Sequence, residues 1–324
     1  MNTPSFSPTV AIIILNWNGY EDTKICLQHL KQLDYPNYEV ILVDNGSTDG
    51  SKKRLETEFP EYTLLSTGAN LGYAGGNNVG IRYALRKGFA YFFLLNNDTI
   101  TTKDALLHLI DFAEKTPLAG IIGPKVLQLE DRSTIDHMGG YWSSSHLNYL
   151  PFGLQKPHTY CKDPVELDYI SGCSLLVKKA VIEEVGLLDE RFFLLWEESD
   201  LCQRAKKAGF SLWAIGSSVI FHKGSASFSG KAHVEYYWQR NRLLWLEKHV
   251  PKASRSSKQT RLLTKERAKI YRHLVIKGLV YACCALCYRK KCTEKKRQEL
   301  ARLYAGFLGI KDYFLRKFYG PKIW

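Results

Sequence analysis

Tyr91-Phe92-Phe93-Leu94-Leu95-Asn96-Asn97-Asp98 is an apolar run, free of charge until its last residue, that empties into two amides and a carboxylate. Five consecutive large apolar residues read as a strand buried on both faces, the kind found in parallel sheets covered by helices. In such sheets ligands gather beyond the carboxyl ends of the strands, which is where Asn96, Asn97 and Asp98 fall. A carboxylate there suits a hard divalent cation, because Mg²⁺ takes one or two carboxylates and fills its other positions with water and phosphate oxygens. A metal holding a nucleotide diphosphate would fit. Asn96-Asn97-Asp98-Thr99 also reads as a turn in which Asp98 caps a helix starting near Thr101 or Thr102.

The flanking sequence repeats the theme. Val10-Ala11-Ile12-Ile13-Ile14-Leu15 is a second continuous apolar run, closed by Asn16-Trp17-Asn18-Gly19. A helical period over 21–33 follows, then a strand at 38–43, a helix at 51–59, a strand at 62–66, a helix at 76–87 and the strand at 90–95. Alternation through four strands predicts an α/β fold with a doubly wound, mostly parallel sheet flanked by helices. Further on, 105–115 reads as helix, 120–127 as extended, 133–168 as loop-rich, 169–178 as strand, 179–185 and 200–208 as helices, and 211–215 as strand. The polar, aperiodic stretch 251–258 reads as a linker. The expected organisation is one domain over 1–250 and a basic helical C-terminal appendage over 251–324.

Charge separates the same two regions. Residues 251–324 hold 20 Lys plus Arg against 4 Asp plus Glu, a net +16, whereas residues 1–250 hold 25 against 28, a net −3. A nearly neutral body thus precedes a basic tail. Cys26, Cys161, Cys173 and Cys202 fall singly, as reduced thiols do. Cys283, Cys284, Cys287 and Cys292 cluster in the tail, where a small apolar packing face and a metal site both fit. The first residues show no basic segment followed by an apolar one, so no secretory signal is expected. The longest apolar stretch, 274–288, is broken by Lys277 and Gly278 and falls short of the roughly 20 residues a spanning helix needs.

Four further motifs carry chemistry. Asp44 follows the second strand, where a carboxylate can accept from a uracil or thymine N3–H or a ribose hydroxyl, or form an Asx turn. Asn70-Leu71-Gly72-Tyr73-Ala74-Gly75-Gly76-Asn77-Asn78 is a glycine-rich loop running into a helix, open to close backbone approach by an anion. Trp196-Glu197-Glu198-Ser199-Asp200 sets three acids behind the aromatic run Phe192-Phe193-Leu194-Leu195. Mutual repulsion beside apolar groups raises a carboxyl pKa, as a general base requires; acids also favour a helix first turn, and Asp200 and Arg204 are spaced as a helix pair. His222, after Ser218-Val219-Ile220-Phe221, stands where an imidazole can bind metal or phosphate, or simply rest in a core.

In order and spacing these blocks resemble the family 2 glycosyltransferases of GT-A fold, in the branch that contains rhamnosyltransferases of cell-wall and O-antigen assembly. The resemblance covers about 8–250. It rests on 13–19, Val43-Asp44-Asn45-Gly46-Ser47-Thr48-Asp49-Gly50, the 70–78 loop, Leu95-Asn96-Asn97-Asp98, Ser171-Gly172, Gly186 to Phe193, the acid cluster and 236–241. It implies inverting transfer from a dTDP- or UDP-linked sugar to a glycan or lipid-linked hydroxyl. Mg²⁺ or Mn²⁺ would be held by Asp98, with His222 as a second candidate ligand. Asn96 stands where the family places its first Asp, which implies a weaker, single-carboxylate site. The nucleotide would meet Asn16, Asp44, Asn70, Gly72, Gly76 and Asn97. The family's base falls on Glu198, supported by Trp196, Glu197 and Asp200.

The tail, with its alternating basic and apolar residues, suits a helix lying on an anionic membrane surface, and equally RNA. A lipid-linked acceptor fits the family better, so the expected place is cytoplasmic and peripheral on the inner face of the cell membrane, with no nucleic acid partner. Two other functions compete. A sugar-phosphate nucleotidyltransferase would need a basic glycine-rich loop after the first strand, and 16–19 has no Lys or Arg. A non-catalytic nucleic-acid-binding protein would leave the acid cluster without a role.

Overall fold

The computed structural model describes residues 7–224, 231–250 and 294–318. The apolar and basic stretch 262–288 and the four tail cysteines lie outside them. In chain order the strands are β1 (Val10–Asn16), β2 (Tyr38–Asp44), β3 (Thr63–Ser66), β4 (Tyr91–Asn96), β5 (Thr99–Thr101), β6 (Ala119–Gln128), β7 (Ile135–His137), β8 (Gly140–Ser143), β9 (Asn148–Pro151), β10 (Val165–Leu167), β11 (Ser174–Lys178) and β12 (Ser211–His222). The helices are α1 (Tyr20–Leu30), α2 (Ser51–Glu58), α3 (Gly72–Lys87), α4 (Ala105–Lys115), α5 (Lys179–Val185), α6 (Glu197–Lys207), α7 (Ala232–His249) and α8 (Glu294–Phe314).

The chain divides into two compact units. The first holds the described residues of Met1–Trp142, Tyr149–Glu190 and Glu197–Gly224. Its main sheet runs β10-β12-β6-β11-β4-β1-β2-β3. β4, β1, β2 and β3 pair in parallel, as do β6 and β12, while β11 runs antiparallel to both β4 and β6. Because successive side chains of a strand point to opposite faces, β1 feeds two cores. Ile12 and Ile14 pack with Leu27, Leu30 and Phe93, and Ile13 with Val43, Ile81 and Phe92. Burial on both faces is why these strands are apolar without interruption.

Several boundaries differ from expectation. α3 begins at Gly72, so the glycine-rich stretch is its first turn. A Cβ on Gly76 would stand 2.4 Å from Leu15 Cδ1, and one on Gly80 2.6 Å from Ile13 Cγ2, so these glycines let the helix lie close on β1. Thr99–Thr101 is strand, paired with β12, and Asp98 therefore caps no helix. The strand expected over 169–178 starts only at Ser174, after a turn at 171–173. α6 starts at Glu197, placing Glu197 and Glu198 in its first turn. β12 continues to His222 through a register shift between Ile215 and Val219.

The second unit comprises the described residues of Ser143–Asn148, Arg191–Trp196 and Ser225–Trp324. α7 and α8 pack closely, since a Cβ on Gly309 would stand 2.2 Å from Tyr236 O. Tyr236 OH donates to Asp312 Oδ2 at 2.7 Å, and Arg316 grips Glu247 through two contacts of 2.6 and 2.7 Å. Phe193, Leu195 and Trp196 hold φ of +64°, +71° and +75°, a region L-residues avoid. α7 holds them there: Asn241 Nδ2 donates to the carbonyls of Phe192, Leu194 and Leu195, and buried Arg240 to those of Arg191, Phe192 and Phe318.

Candidate active site

The ends of β1, β2 and β4 form one edge. Asn16 and Asp44 are register partners, and Asn16 Nδ2 donates to Asp44 Oδ1 at 3.2 Å. Thr23 Oγ1 donates to Asn16 Oδ1 at 2.9 Å, and Asn97 Nδ2 to Thr23 Oγ1 at 2.9 Å. Ser47 N–H reaches Asp44 Oδ2 at 3.2 Å. The amides and the carboxylate are therefore oriented in advance, and Asp44 retains lone pairs beyond these two bonds. Asn70 Oδ1 accepts from Gly72 N–H at 2.8 Å and Asn45 Nδ2 at 3.2 Å, shaping the turn into α3. Gly72, at φ +72°, needs its glycine for that turn, whereas Gly76 is accounted for by packing on Leu15. Ahead of α2, whose N-cap is Gly50, Asp49 accepts from Ser51 N–H at 3.0 Å in an Asx turn.

Beyond β4 the chain enters β5, and the antiparallel pairing of β5 with β12 sets His222 opposite Thr99. His222 Nε2 thereby stands 3.3 Å from Asp98 Oδ1, a buried oxygen with no hydrogen-bond partner. On its other side His222 Nδ1 lies 2.9 Å from Asp136 Oδ2, and His137 Nε2 is 3.5 Å from the same oxygen. Asp136, His137 and His222 can present ligand atoms within 4.8 Å of one another. Burial opposes charge on His222, but Asp136 and Asp98 together override it and raise its pKa to about 9. A carboxylate oxygen facing a ring nitrogen is a donor set that fits a divalent cation. Asp136 and His137 escaped the sequence reading. They lie on a three-residue strand too short to show a period, and only the Asp-His dipeptide itself could have drawn notice.

The acid cluster reaches this edge through β11. Ser174 pairs with Leu95, and Asn96 N–H donates to Cys173 O at 2.9 Å, which lays the 171–173 turn beside the end of β4. Glu198 rests on that turn: a Cβ on Gly172 would stand 3.2 Å from Glu198 Cγ. Tyr73 OH holds the turn from below, donating to Gly172 O at 2.5 Å. The Cys173 thiol reports the convergence, since burial first and then the charges of Asp136, Asp98 and Glu198 raise its pKa to about 12. Glu197 is 3% exposed, and its Oε2 has no hydrogen-bond partner. Burial, then Glu198 and Asp200, push its carboxyl well above the usual range. Asp200 is engaged with Arg204 Nε at 2.9 Å. Of the three acids only Glu198 is not fully buried as a residue, though its Oε2 is enclosed. Trp196 belongs to the second unit, 5.3 Å from Trp238 and 5.8 Å from Trp245 between ring centroids.

Comparison with known proteins gives these residues a context. The model of glycosyl transferase family 2 matches residues 11–185. N-acetylglucosaminyl-diphospho-decaprenol L-rhamnosyltransferase of Mycobacterium tuberculosis is 30% identical over 215 residues, 58% of this chain and 67% of that protein. The dTDP-rhamnosyl transferase RfbF of Shigella flexneri is 27% identical over 240 residues, 68% of this chain and 75% of that protein. Among solved structures, the mannosyltransferase PcManGT of Pyrobaculum calidifontis, in complex with GDP-Man and Mn²⁺, superposes with a TM-score of 0.55 at 16% identity, over 97% of this chain and 89% of that one. The fold is thus that of the GT-A glycosyltransferases. With more than half its length matched by the family model and rhamnosyltransferases among its relatives, the chain belongs to glycosyl transferase family 2 and is a glycosyltransferase.

Proposed function

We propose that this glycosyltransferase moves rhamnose, with inversion, from a dTDP- or UDP-linked donor to a hydroxyl of a lipid-linked glycan in cell-envelope polysaccharide assembly. The carrying observation is the β4–β11 pairing, which brings the turn beneath Glu198 alongside the segment that ends in Asp98. Asp44 and Asn16 bind and orient the nucleotide at the ends of β1 and β2. Glu198 takes the proton of the acceptor hydroxyl as that oxygen bonds to the anomeric carbon from the face opposite the diphosphate. The bond to the diphosphate breaks and its electron pair leaves with it. A divalent cation, when bound at Asp98 and His222, supplies positive charge against the negative charge growing on the diphosphate. The activities for which the mycobacterial and Shigella relatives are named support rhamnose, a lipid diphosphate acceptor and a dTDP donor.

A screen of dTDP-, UDP- and GDP-linked sugars by thermal denaturation tests this directly. In Mn²⁺ the dTDP or UDP sugars should raise the melting temperature by several degrees, since ligand at 100 times its Kd contributes about 2.7 kcal/mol. A rise with GDP sugars alone, or with none, would contradict the nucleotide assignment.

Peripheral attachment to an anionic membrane belongs to the same proposal. Among the described residues no helix is long and apolar enough to cross a membrane. α8 and the residue after it nevertheless leave Tyr304, Phe307, Phe314 and Leu315 exposed within a segment of net charge +16. Apolar side chains among basic ones suit insertion at an anionic interface. Removing 251–324 outright would strip α8 from α7, so the sharper test is Phe307→Ser with Phe314→Ser. The double variant should dissociate from phosphatidylglycerol vesicles while transfer to a short soluble acceptor persists. Undiminished sedimentation with vesicles, or RNA binding in place of lipid, would contradict it.

A further inference from the structure

We propose that Asp136 is a positioning residue for the metal site, holding His222 so that Nε2 faces Asp98 and restoring the negative charge that Asn96 withholds. The inference rests on the reading of Asp98 and His222 as metal ligands. An ionised carboxylate only accepts, so at 2.9 Å His222 Nδ1 must carry the proton donated to Asp136 Oδ2. In the neutral imidazole that a metal ligand must be, the lone pair is then on Nε2, the nitrogen 3.3 Å from Asp98 Oδ1. Carboxylate–imidazole–metal relays of this form fix the tautomer and ring orientation of a ligand and raise its basicity. The geometry is built into the sheet. β12 and β7 both pair with β6, β12 in parallel along its length and β7 antiparallel at Val126 and Leu127. His222 and Asp136 therefore reach each other across the end of one strand. Asp136 is half-buried and lies 86 residues from its partner, so a chance surface contact is a poor description.

The charge balance gives the arrangement a purpose. With Asn96 in place of an acid, the end of β4 offers one carboxylate to a dication. Asp136 adds a second negative charge, transmitted through the imidazole and not by direct ligation. His137, beside the same Asp136 oxygen, belongs to the surroundings of that carboxylate.

The test is Mn²⁺ titration of the full-length protein followed by electron paramagnetic resonance, with the pulsed experiment reading nitrogen bonded to the ion. Wild type should show one imidazole coupling that His222→Ala removes. Asp136→Leu, which loses both acceptor and charge, should weaken Mn²⁺ about 10- to 100-fold and broaden or abolish that coupling. Asp136→Asn, which can still accept from Nδ1, should fall between, and both should melt as cooperatively as wild type. If both Asp136 variants keep wild-type affinity and coupling while His222→Ala loses it, Asp136 has no positioning role although the metal reading stands. If wild type shows no nitrogen coupling, or His222→Ala leaves it intact, the metal reading itself fails. A coupling lost in His137→Ala would place the ion against Asp136 and His137 and overturn the relay.

Discussion

Glu198→Gln is expected to lower transfer by about 10²- to 10⁴-fold, the usual worth of a positioned general base, with donor binding retained. Glutamine keeps the Cβ, Cγ and Cδ atoms that rest on Gly172, so the first turn of α6 has no reason to move. Only the proton acceptor is lost. Glu197→Gln is the control, because it removes a carboxyl whose pKa is raised by burial first and then by Glu198 and Asp200. A raised folded-state pKa means that the folded chain binds this proton more tightly than the unfolded one. Stability is therefore lost as pH climbs from the unfolded value, about 4.3, through the folded one. The Glu197→Gln variant should transfer sugar at near wild-type rate and melt higher than wild type at pH 8, with the gap closing toward pH 4. A dead Glu197→Gln beside an active Glu198→Gln would move the base by one residue.

Asp98→Ala should abolish the Mn²⁺-dependent part of donor binding and cut kcat/KM by about 10²- to 10³-fold, equivalent to several kcal/mol of lost charge stabilisation. The end of β4 holds no second carboxylate to compensate, since Asn96 and Asn97 carry amides. His222 would remain, still 2.9 Å from Asp136, so the comparison of this variant with His222→Ala separates the proposed oxygen ligand from the proposed nitrogen one. Melting curves with nucleotide, with and without Mn²⁺, are the readout. A metal increment unchanged in Asp98→Ala would locate the cation elsewhere or remove it from the mechanism.

What could be read without coordinates follows from packing. β1, β2 and β4 lie in the middle of a covered sheet, and burial on both faces writes them as unbroken apolar runs that bring Asn16, Asp44 and Asp98 to one candidate edge. Short or edge elements leave no such trace. β5 and β7 are three residues each, too short to show a period, so the sequence reveals neither the surroundings of Asp98 nor Asp136, which touches His222. The acid cluster was legible as composition, but assigning its members needed depth. Glu197 turns inward, Asp200 pairs with Arg204, and Glu198 lies on Gly172. The glycines at the start of α3 look like a loop in the sequence, which cannot tell an approach to phosphate from the approach of Gly76 to Leu15. The positive φ angles at Phe193, Leu195 and Trp196 carried no local signal at all, since the residues that hold them, Arg240 and Asn241, come more than forty positions later.

The most direct test of inverting transfer by Glu198 is the anomeric configuration of the product, read by one-bond C–H coupling in NMR after incubation with dTDP-β-L-rhamnose, Mn²⁺ and a lipid-diphosphate N-acetylglucosamine acceptor. Single displacement with Glu198 as base predicts acceptor-dependent release of dTDP and an α-linked rhamnoside, both lost in Glu198→Gln. A β-linked product, or α-linked product formed at an undiminished rate by Glu198→Gln, would contradict it.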